Sequence, residues 1–405
     1  MSPFKVRNLA RHFRRASGAG LALGAFALSL LGADAPPAGP EQIRDPLSLQ
    51  AARKARVAAR GKKTFNAEAW DLSGLPMYKA EQKISGKLRV WGLNYIGDSG
   101  LAKEWAEGFR KYHPDVVVEY NLPTALIGIP GLVCGVADIA ASRPISFDER
   151  LLFQRIFNSD PVEIKMVTGS YDVPGYATTM AVLVNDSNPI TRLTLEQLDG
   201  IFGAERTGGY RDNLWTTESA RGPEKNIRTW GQLGLTGEWQ DKPINVYMAT
   251  LRFHYPPVFE QVVFKGGTKW NERVKEYNNY LKPDGSWYSH GEQVPDEVGK
   301  DPYGIALTWM AYVNPSRKAK PVALATKEGG PFVELTIHNV QNGTYPLAYH
   351  EYWYFYRQPG HPIDPKIKEF IRYVLSREAQ EAVGRTGKFL PLTAAAVREE
   401  LAKLE

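Results

Sequence analysis

The chain has 405 residues, 43% hydrophobic and 23% charged, with a net charge of +6. That length suits globular structure with two domains and sizeable cores. Cys134 is the only cysteine, which excludes an intramolecular disulfide and a cysteine-based zinc cluster.

The first twenty residues, MSPFKVRNLARHFRRASGAG, carry five positive charges and no acid. The apolar run LALGAFALSLL and the small-x-small triplet Ala33-Asp34-Ala35 follow. This is the three-part layout of a secretory signal peptide over residues 1–35. Its apolar part is short for a membrane span, and no later stretch reaches the roughly 18 apolar residues one needs. The Arg14-Arg15 pair leaves twin-arginine export open, but the residues after it match weakly, so the general secretory route is expected. Cleavage after Ala35 removes five basic residues and one acid, leaving 45 basic against 43 acidic and a net charge of +2. The basicity therefore belongs to the leader, and no nucleic-acid partner is expected. No cysteine follows the apolar run to take a lipid. A freely soluble periplasmic protein is the inference.

Residues 36–85 are polar, include ARKARVAARGKK and read as an N-terminal arm. From Gly86 the pattern sharpens. KLRVWG reads as a strand, LNYIGDSG as a loop, and LAKEWAEGFRKYH as a helix with Leu101, Trp105, Phe109 and Tyr112 on one face. VVVEY and VADIAAS read as the next strands, and SFDERLLFQRIF opens a helix with the capping box Ser146-x-x-Glu149. Strands alternating with helices imply βαβ units and a mostly parallel sheet. Further on, TTMAVLVN is strand-like, and Thr194-x-x-Gln197 caps a short helix. The strand INVYMA leads to LRFHYPPVF, where Pro256 and Pro257 fit a helix's first turn. GTYPLAYHEYWYFYRQ is strand-like and aromatic. DPKIKEFIRYVLS is a helix with Pro365 in its first turn and Ile367, Phe370, Ile371 and Val374 on one face.

Open α/β sheets bind ligands at the carboxyl ends of their strands. Four loops occupy such positions, Asn94–Gly100, Pro123–Gly128, Ser142–Ser146 and Thr250–Pro257. The candidate ligand residues on them are Tyr95, Gly97, Ser99, Thr124, Ser142, Arg143, Arg252, His254 and Tyr255. A helix N-terminus favours anions, and two guanidiniums converging on a cleft suit bidentate binding of phosphate or carboxylate. Each residue also has a structural use: Ser142 and Thr124 as caps, Arg143 as partner of Asp148 or Glu149, His254 as a turn residue. Catalytic motifs are missing: no G-x-S-x-G, H-E-x-x-H or Walker A occurs, and no histidines pair at metal-ligand spacing. His350-Glu351 sits in an aromatic run and reads as packing. No catalytic residue, metal or cofactor is expected.

Six segments in order, from about Gly86 to Leu392, resemble the phosphate-binding protein family of phosphate ABC transporters, type 2 periplasmic binding proteins. KLRVWG through VVVEY resembles the family's first strand, helix and second strand, and VADIAASRPIS its third strand. NPITRLTLEQLDGIF resembles its "NP-x-x-x-LT-x-x-Q-L-x-x-IF" segment. YGIALTWM stands where the family has a Gly-Ile-Gly-Tyr strand. NGTYPLAYHEYWYF and FIRYVLSREAQEAVGRTGKFLPL resemble the closing "YPL" strand, helix and "G-x-x-PL" end. The ligand positions depart from the pattern. The family's Ser-Gly-Thr signature falls on Phe253-His254-Tyr255 and its Arg on Ala249. Its first-loop Thr falls near Ile96, its second-loop Ser on Ala125 beside Thr124, and its buried Asp on Arg143.

The resemblance implies a two-lobed α/β fold, each lobe a central, mostly parallel sheet flanked by helices, with two hinge crossovers near Tyr176–Met180 and Gly343–Leu347. Residues 86–177 and 345–405 would form the first lobe and 178–344 the second. The expected function is capture of a small anion, phosphate or a relative, between the lobes of a monomer, for an inner-membrane ABC transporter permease. The alternatives are a degenerate relative serving as sensor or accessory protein, and an exported phosphatase-like enzyme using His254.

Overall fold

The computed structural model describes residues 70–176, 179–253, 255–284 and 286–405. The expected signal peptide, the first part of the expected arm and His254 lie outside the described residues. Ten strands build two five-stranded sheets. They are β1 (Gly86–Gly92), β2 (Val116–Asn121), β3 (Ile139–Ser142), β4 (Val162–Thr168), β5 (Met180–Asn185), β6 (Asn245–Ala249), β7 (Lys275–Tyr277), β8 (Gly304–Trp309), β9 (Ala319–Pro321) and β10 (His350–Phe355).

The first sheet has the order β2-β1-β3-β10-β4 and the second β7-β6-β8-β5-β9. In the first, β1 runs parallel to β2 and β3, while β10 is antiparallel to both β3 and β4. In the second, β6 runs parallel to β7 and β8, while β5 is antiparallel to β8 and β9. Four strands of each sheet therefore run one way and a single strand, β10 in the first and β5 in the second, runs against them, so the sheets are mixed and mostly parallel, as expected. The reason for the reversal is the crossing of the chain: β5 enters the second sheet directly from the first, and β10 comes back the same way. Each meets its new neighbours from the opposite end, without the helical crossover that makes strands parallel.

Helices cover the sheets. In α1 (Leu101–Arg110), Leu101, Trp105 and Phe109 are fully buried. Tyr112 falls beyond the helix and is 41% exposed, its ring edge-on to Tyr78. Helix α2 (Phe147–Phe157) begins in the expected capping box, formed in both directions between Ser146 and Glu149. Helix α3 (Leu195–Phe202) begins the same way at Thr194 and Gln197. Both prolines fall in the first turn of α4 (Tyr255–Val262), where a missing N–H leaves no bond unmade. In α5 (Pro365–Val374), Ile367, Phe370, Ile371 and Val374 are all buried. They join Leu88, Val90, Trp105 and Trp353 in the core of the first sheet. The second sheet has its own core around Val182, Val246, Phe259 and Leu307.

The two crossings lie side by side. The Gly169 N–H after β4 donates to the Tyr349 carbonyl before β10 at 2.6 Å, and Thr179 N–H donates back to Ser170 at 3.0 Å. Such paired crossings are where the lobes would hinge.

Residues 70–85 differ from the expected free arm. Leu72, Leu75, Tyr78 and Ile84 are buried in the first core. The Tyr78 hydroxyl donates to Glu369 at 2.5 Å and meets His113 Nε2 at 2.6 Å. Glu369 also accepts the Glu81 and Gln82 N–H groups and the Arg372 guanidinium. Burial holds His113 below the usual histidine range, so it sits there neutral. Tyr78→Phe removes the hydroxyl that both partners share, and is expected to lower stability by about 1–3 kcal/mol in urea unfolding, the scale for stranding buried polar groups. An unchanged midpoint would show that residues 70–85 are dispensable to the fold.

Candidate functional site

The ligand loops named from the sequence do leave the carboxyl ends of β1, β2, β3 and β6, where an α/β sheet opens its crevice. Their side chains divide sharply by what holds them. Tyr95, in the short turn Asn94–Asp98, is half-buried with its ring 5.5 Å from that of Tyr176. Gly97 is exposed. The Ser99 hydroxyl donates to the Ile96 carbonyl and accepts the Leu101 N–H, so it serves the start of α1. Thr124 is half-buried in extended backbone and makes no capping bond.

Tyr255 is a core residue. Its hydroxyl accepts the Ala249 N–H at 2.9 Å, and its ring stands edge-on to Trp309 at 4.7 Å. Trp309 in turn meets Tyr349 edge-on at 5.9 Å, so an aromatic chain runs from α4 across to the approach of β10. Phe253 packs beside it on His290. Arg252 is exposed and makes no hydrogen bond or ion pair among the described residues.

The strongest polar constellation forms at the end of β3. Ser142 is fully buried, and its Oγ has no hydrogen-bond partner. Arg143 is 7% exposed, and its Nη1 donates to Glu149 Oε2 at 2.8 Å and to the Pro144 carbonyl at 3.0 Å. The same Oε2 accepts the Ser146 N–H, so the cap of α2 also orients the guanidinium. Asp148 is exposed, so of the two acids weighed in the sequence, Glu149 is the partner. Burial alone would pull the Arg143 pKa down; the Glu149 carboxylate more than offsets it and keeps the charge. Nε and Nη2 of Arg143 make no hydrogen bond among the described residues.

Near Arg143 lies a residue that the sequence reading assigned to packing. The ladder pairs Tyr352 with Ser142 and Trp353 with Ala141. It ends there, since the register of β10 shifts between Glu351 and Tyr352, and Glu351 lies beyond its end, within the field of Arg143. Glu351 is fully buried, and neither of its carboxyl oxygens has a hydrogen-bond partner among the described residues. Burial pushes its pKa well above the usual range, against the pull of Arg143. Burial first, then the Glu351 carboxyl, pushes the Tyr349 pKa well up, while the Arg143 charge draws it back. The sequence signal was there: a carboxylate inside an otherwise aromatic strand.

Beside this constellation a cavity of about 510 Å³ separates the lobes. Pro144, Ile145 and Phe147 line it from the first lobe, Tyr210, Val258 and Gln261 from the second. Asp148 and Glu260 line it too, and Pro144, next to Arg143 in the chain, is its link to the constellation.

Comparison with known proteins gives consistent matches. The PBP superfamily domain matches residues 97–378. A phosphate-binding protein PstS of Pseudomonas aeruginosa is 29% identical over 332 residues, which cover 82% of this chain and 90% of that protein. Protein SphX of Synechococcus elongatus is 26% identical over 302 residues, 73% of this chain and 75% of that protein. Among solved structures, an ABC-type phosphate transport receptor from Vibrio cholerae is 19% identical, with 75% of this chain and 99% of that one covered at a TM-score of 0.45.

The buried carboxyl makes a testable demand on stability. A carboxyl whose folded pKa is raised takes up a proton on folding. Its contribution is therefore intact below the ordinary value of 4.5 and declines as pH rises toward the folded value. Glu351→Gln should cancel that decline, gaining on the unmodified chain by up to about 1.4 kcal/mol for each pH unit above 4.5. Urea unfolding at several pH values checks this; parallel curves for the two chains would contradict a neutral Glu351.

Proposed function

This chain belongs to the PBP superfamily, and on that premise we propose that it is an exported solute-binding protein that captures a small anion. Phosphate, a related oxyanion or a phosphorylated compound is held between the lobes and delivered to an ABC importer of the inner membrane. The chain works by binding rather than catalysis. One observation carries the reading: a buried, charged Arg143 at the carboxyl end of β3 keeps Nε and Nη2 uncommitted among the described residues, next in the chain to Pro144 of the interlobe cavity. A guanidinium held at one edge by Glu149 presents its other edge in fixed geometry, which is how Arg recognises oxyanions. The relatives named for phosphate binding support the same class of ligand. The sequence leader supports export to the periplasm.

A second reading is an accessory or sensor protein that has given up phosphate. It is favoured by the direct pairing of Arg143 with Glu149, which neutralises the strongest cation of the site. Replacement of the family's Ser-Gly-Thr signature by Phe253-His254-Tyr255 points the same way, with Tyr255 now in the core.

Calorimetric titration of the mature chain, stripped of ligand, with phosphate, sulfate, molybdate and an organic phosphate separates the two. In the capture reading at least one oxyanion binds at micromolar concentration or tighter. Arg143→Ala then weakens it by about 1.5–3 kcal/mol, the scale of charge-assisted hydrogen bonds. Arg252→Ala, at an exposed position, should cost no more than about 1 kcal/mol. Silence of the unmodified chain toward all four would favour the accessory reading.

A further inference from the structure

Glu351 is the group whose chemistry the fold leaves unanswered. It is fully buried, and both of its carboxyl oxygens lack a hydrogen-bond partner among the described residues. Stranding such a group is costly, and native proteins keep one where a ligand or an ordered water completes it. Its place is at the end of the ladder. Tyr352, the next residue, pairs with Ser142, the residue before Arg143; the register of β10 shifts between Glu351 and Tyr352, and the Glu351 carboxyl lies within the field of the Arg143 guanidinium. The two nevertheless make no hydrogen bond. Arg143 turns Nη1 away to Glu149 and Pro144, leaving Nε and Nη2 open. A buried acid and a buried guanidinium that lie close without bonding, each with hydrogen-bonding capacity left over, can be answered by one shared acceptor.

We propose that Glu351 is a further ligand of the cleft anion, its carboxyl O–H donating to the same oxyanion that Arg143 holds. The inference rests on the reading that the cleft binds an anion. A carboxylate in this position would repel one. Burial keeps the group neutral instead, so that it supplies a donor and no charge. The arrangement gives β10 a direct contact with the ligand, alongside that from β3. An oxyanion bound there would be held by neighbouring strands of one sheet, and a rigid sheet positions donors better than loops do.

The test uses the mature chain with inorganic phosphate and sulfate as probes. Glu351→Leu removes the donor and should weaken whichever probe binds by about ten- to a hundredfold. Glu351→Gln keeps a donor and should stay within about threefold, with circular dichroism confirming that both variants fold. Infrared difference spectra on adding the probe give a second readout, independent of whether the Leu variant folds. The protonated-carboxyl stretch of the unmodified chain should shift, and the shift should be missing in Glu351→Gln. Binding that depends on Arg143 but is indifferent to Glu351→Leu, with no carboxyl shift, would overturn the assignment and leave the anion reading standing; Glu351 would then be answered by water only. No binding of either probe to the unmodified chain, by calorimetry, would overturn both.

Discussion

The antiparallel insertion of β10 between β3 and β4 is the constraint on which the rest of the molecule turns. Side chains alternate along it, so Trp353 and Phe355 enter the core under α1 while Tyr354 enters the smaller core on the opposite face. Slipping the strand by one residue would exchange the two sets and bury the wrong face on each side. Trp353, 5.7 Å from Trp105, and the paired ladder with β4 fix the register against that slip. With the register set as far as Tyr352 and Ser142, Glu351 and Arg143 are brought together at the end of that ladder, where β10 breaks register. The polar constellation is a consequence of packing two residues further along.

What was legible in the sequence follows from how local each signal is. Both capping boxes, the proline-led helix starts and the buried face of α5 depend on residues three or four apart, and they formed as read. The fold class was legible through ordered segments that each carry a strand or helix pattern. The mixed character of the sheets was not, because strand direction is set by where the chain re-enters a sheet after a long excursion. Tyr112 obeyed the helical period but fell past the helix end, where Tyr78 holds its ring. Residues 70–85 looked polar enough to be free, yet four well-spaced apolar side chains and one tyrosine hydroxyl dock them.

The site was legible by place and only partly by residue. Loops at strand ends were found correctly as positions, but hydroxyls in them have ready local uses. Ser99 is taken by the start of α1 and Tyr255 by the backbone of β6, and nothing in a single chain of letters distinguishes a hydroxyl facing a cleft from one serving a turn. Glu149 was recognisable as a helix cap; that the same oxygen also holds Arg143 requires the turn between them to fold back. The nearness of Glu351 to Arg143 follows from the pairing of Tyr352 with Ser142, between strands distant in sequence, which no local period encodes.

The placement of these groups also constrains how the lobes could respond to a ligand. Arg143 and Glu351 both belong to the first sheet, so contacts to them are the same whether the lobes are apart or together. A ligand shifts a conformational equilibrium only by its differential affinity for the two states. In the proposed reading, closure must therefore draw on the second lobe, from the loop after β6 with Arg252 or from the Tyr210 and Gln261 wall of the cavity. The first lobe can contribute indirectly. Tyr349 precedes β10, bonds through its carbonyl to Gly169 at the other crossing, and touches Trp309 of the second lobe through its ring. It also feels the charges of Arg143 and Glu351. The lobe contact and the proposed anion ligand thus lie within three residues of one another in the chain, from Tyr349 to Glu351.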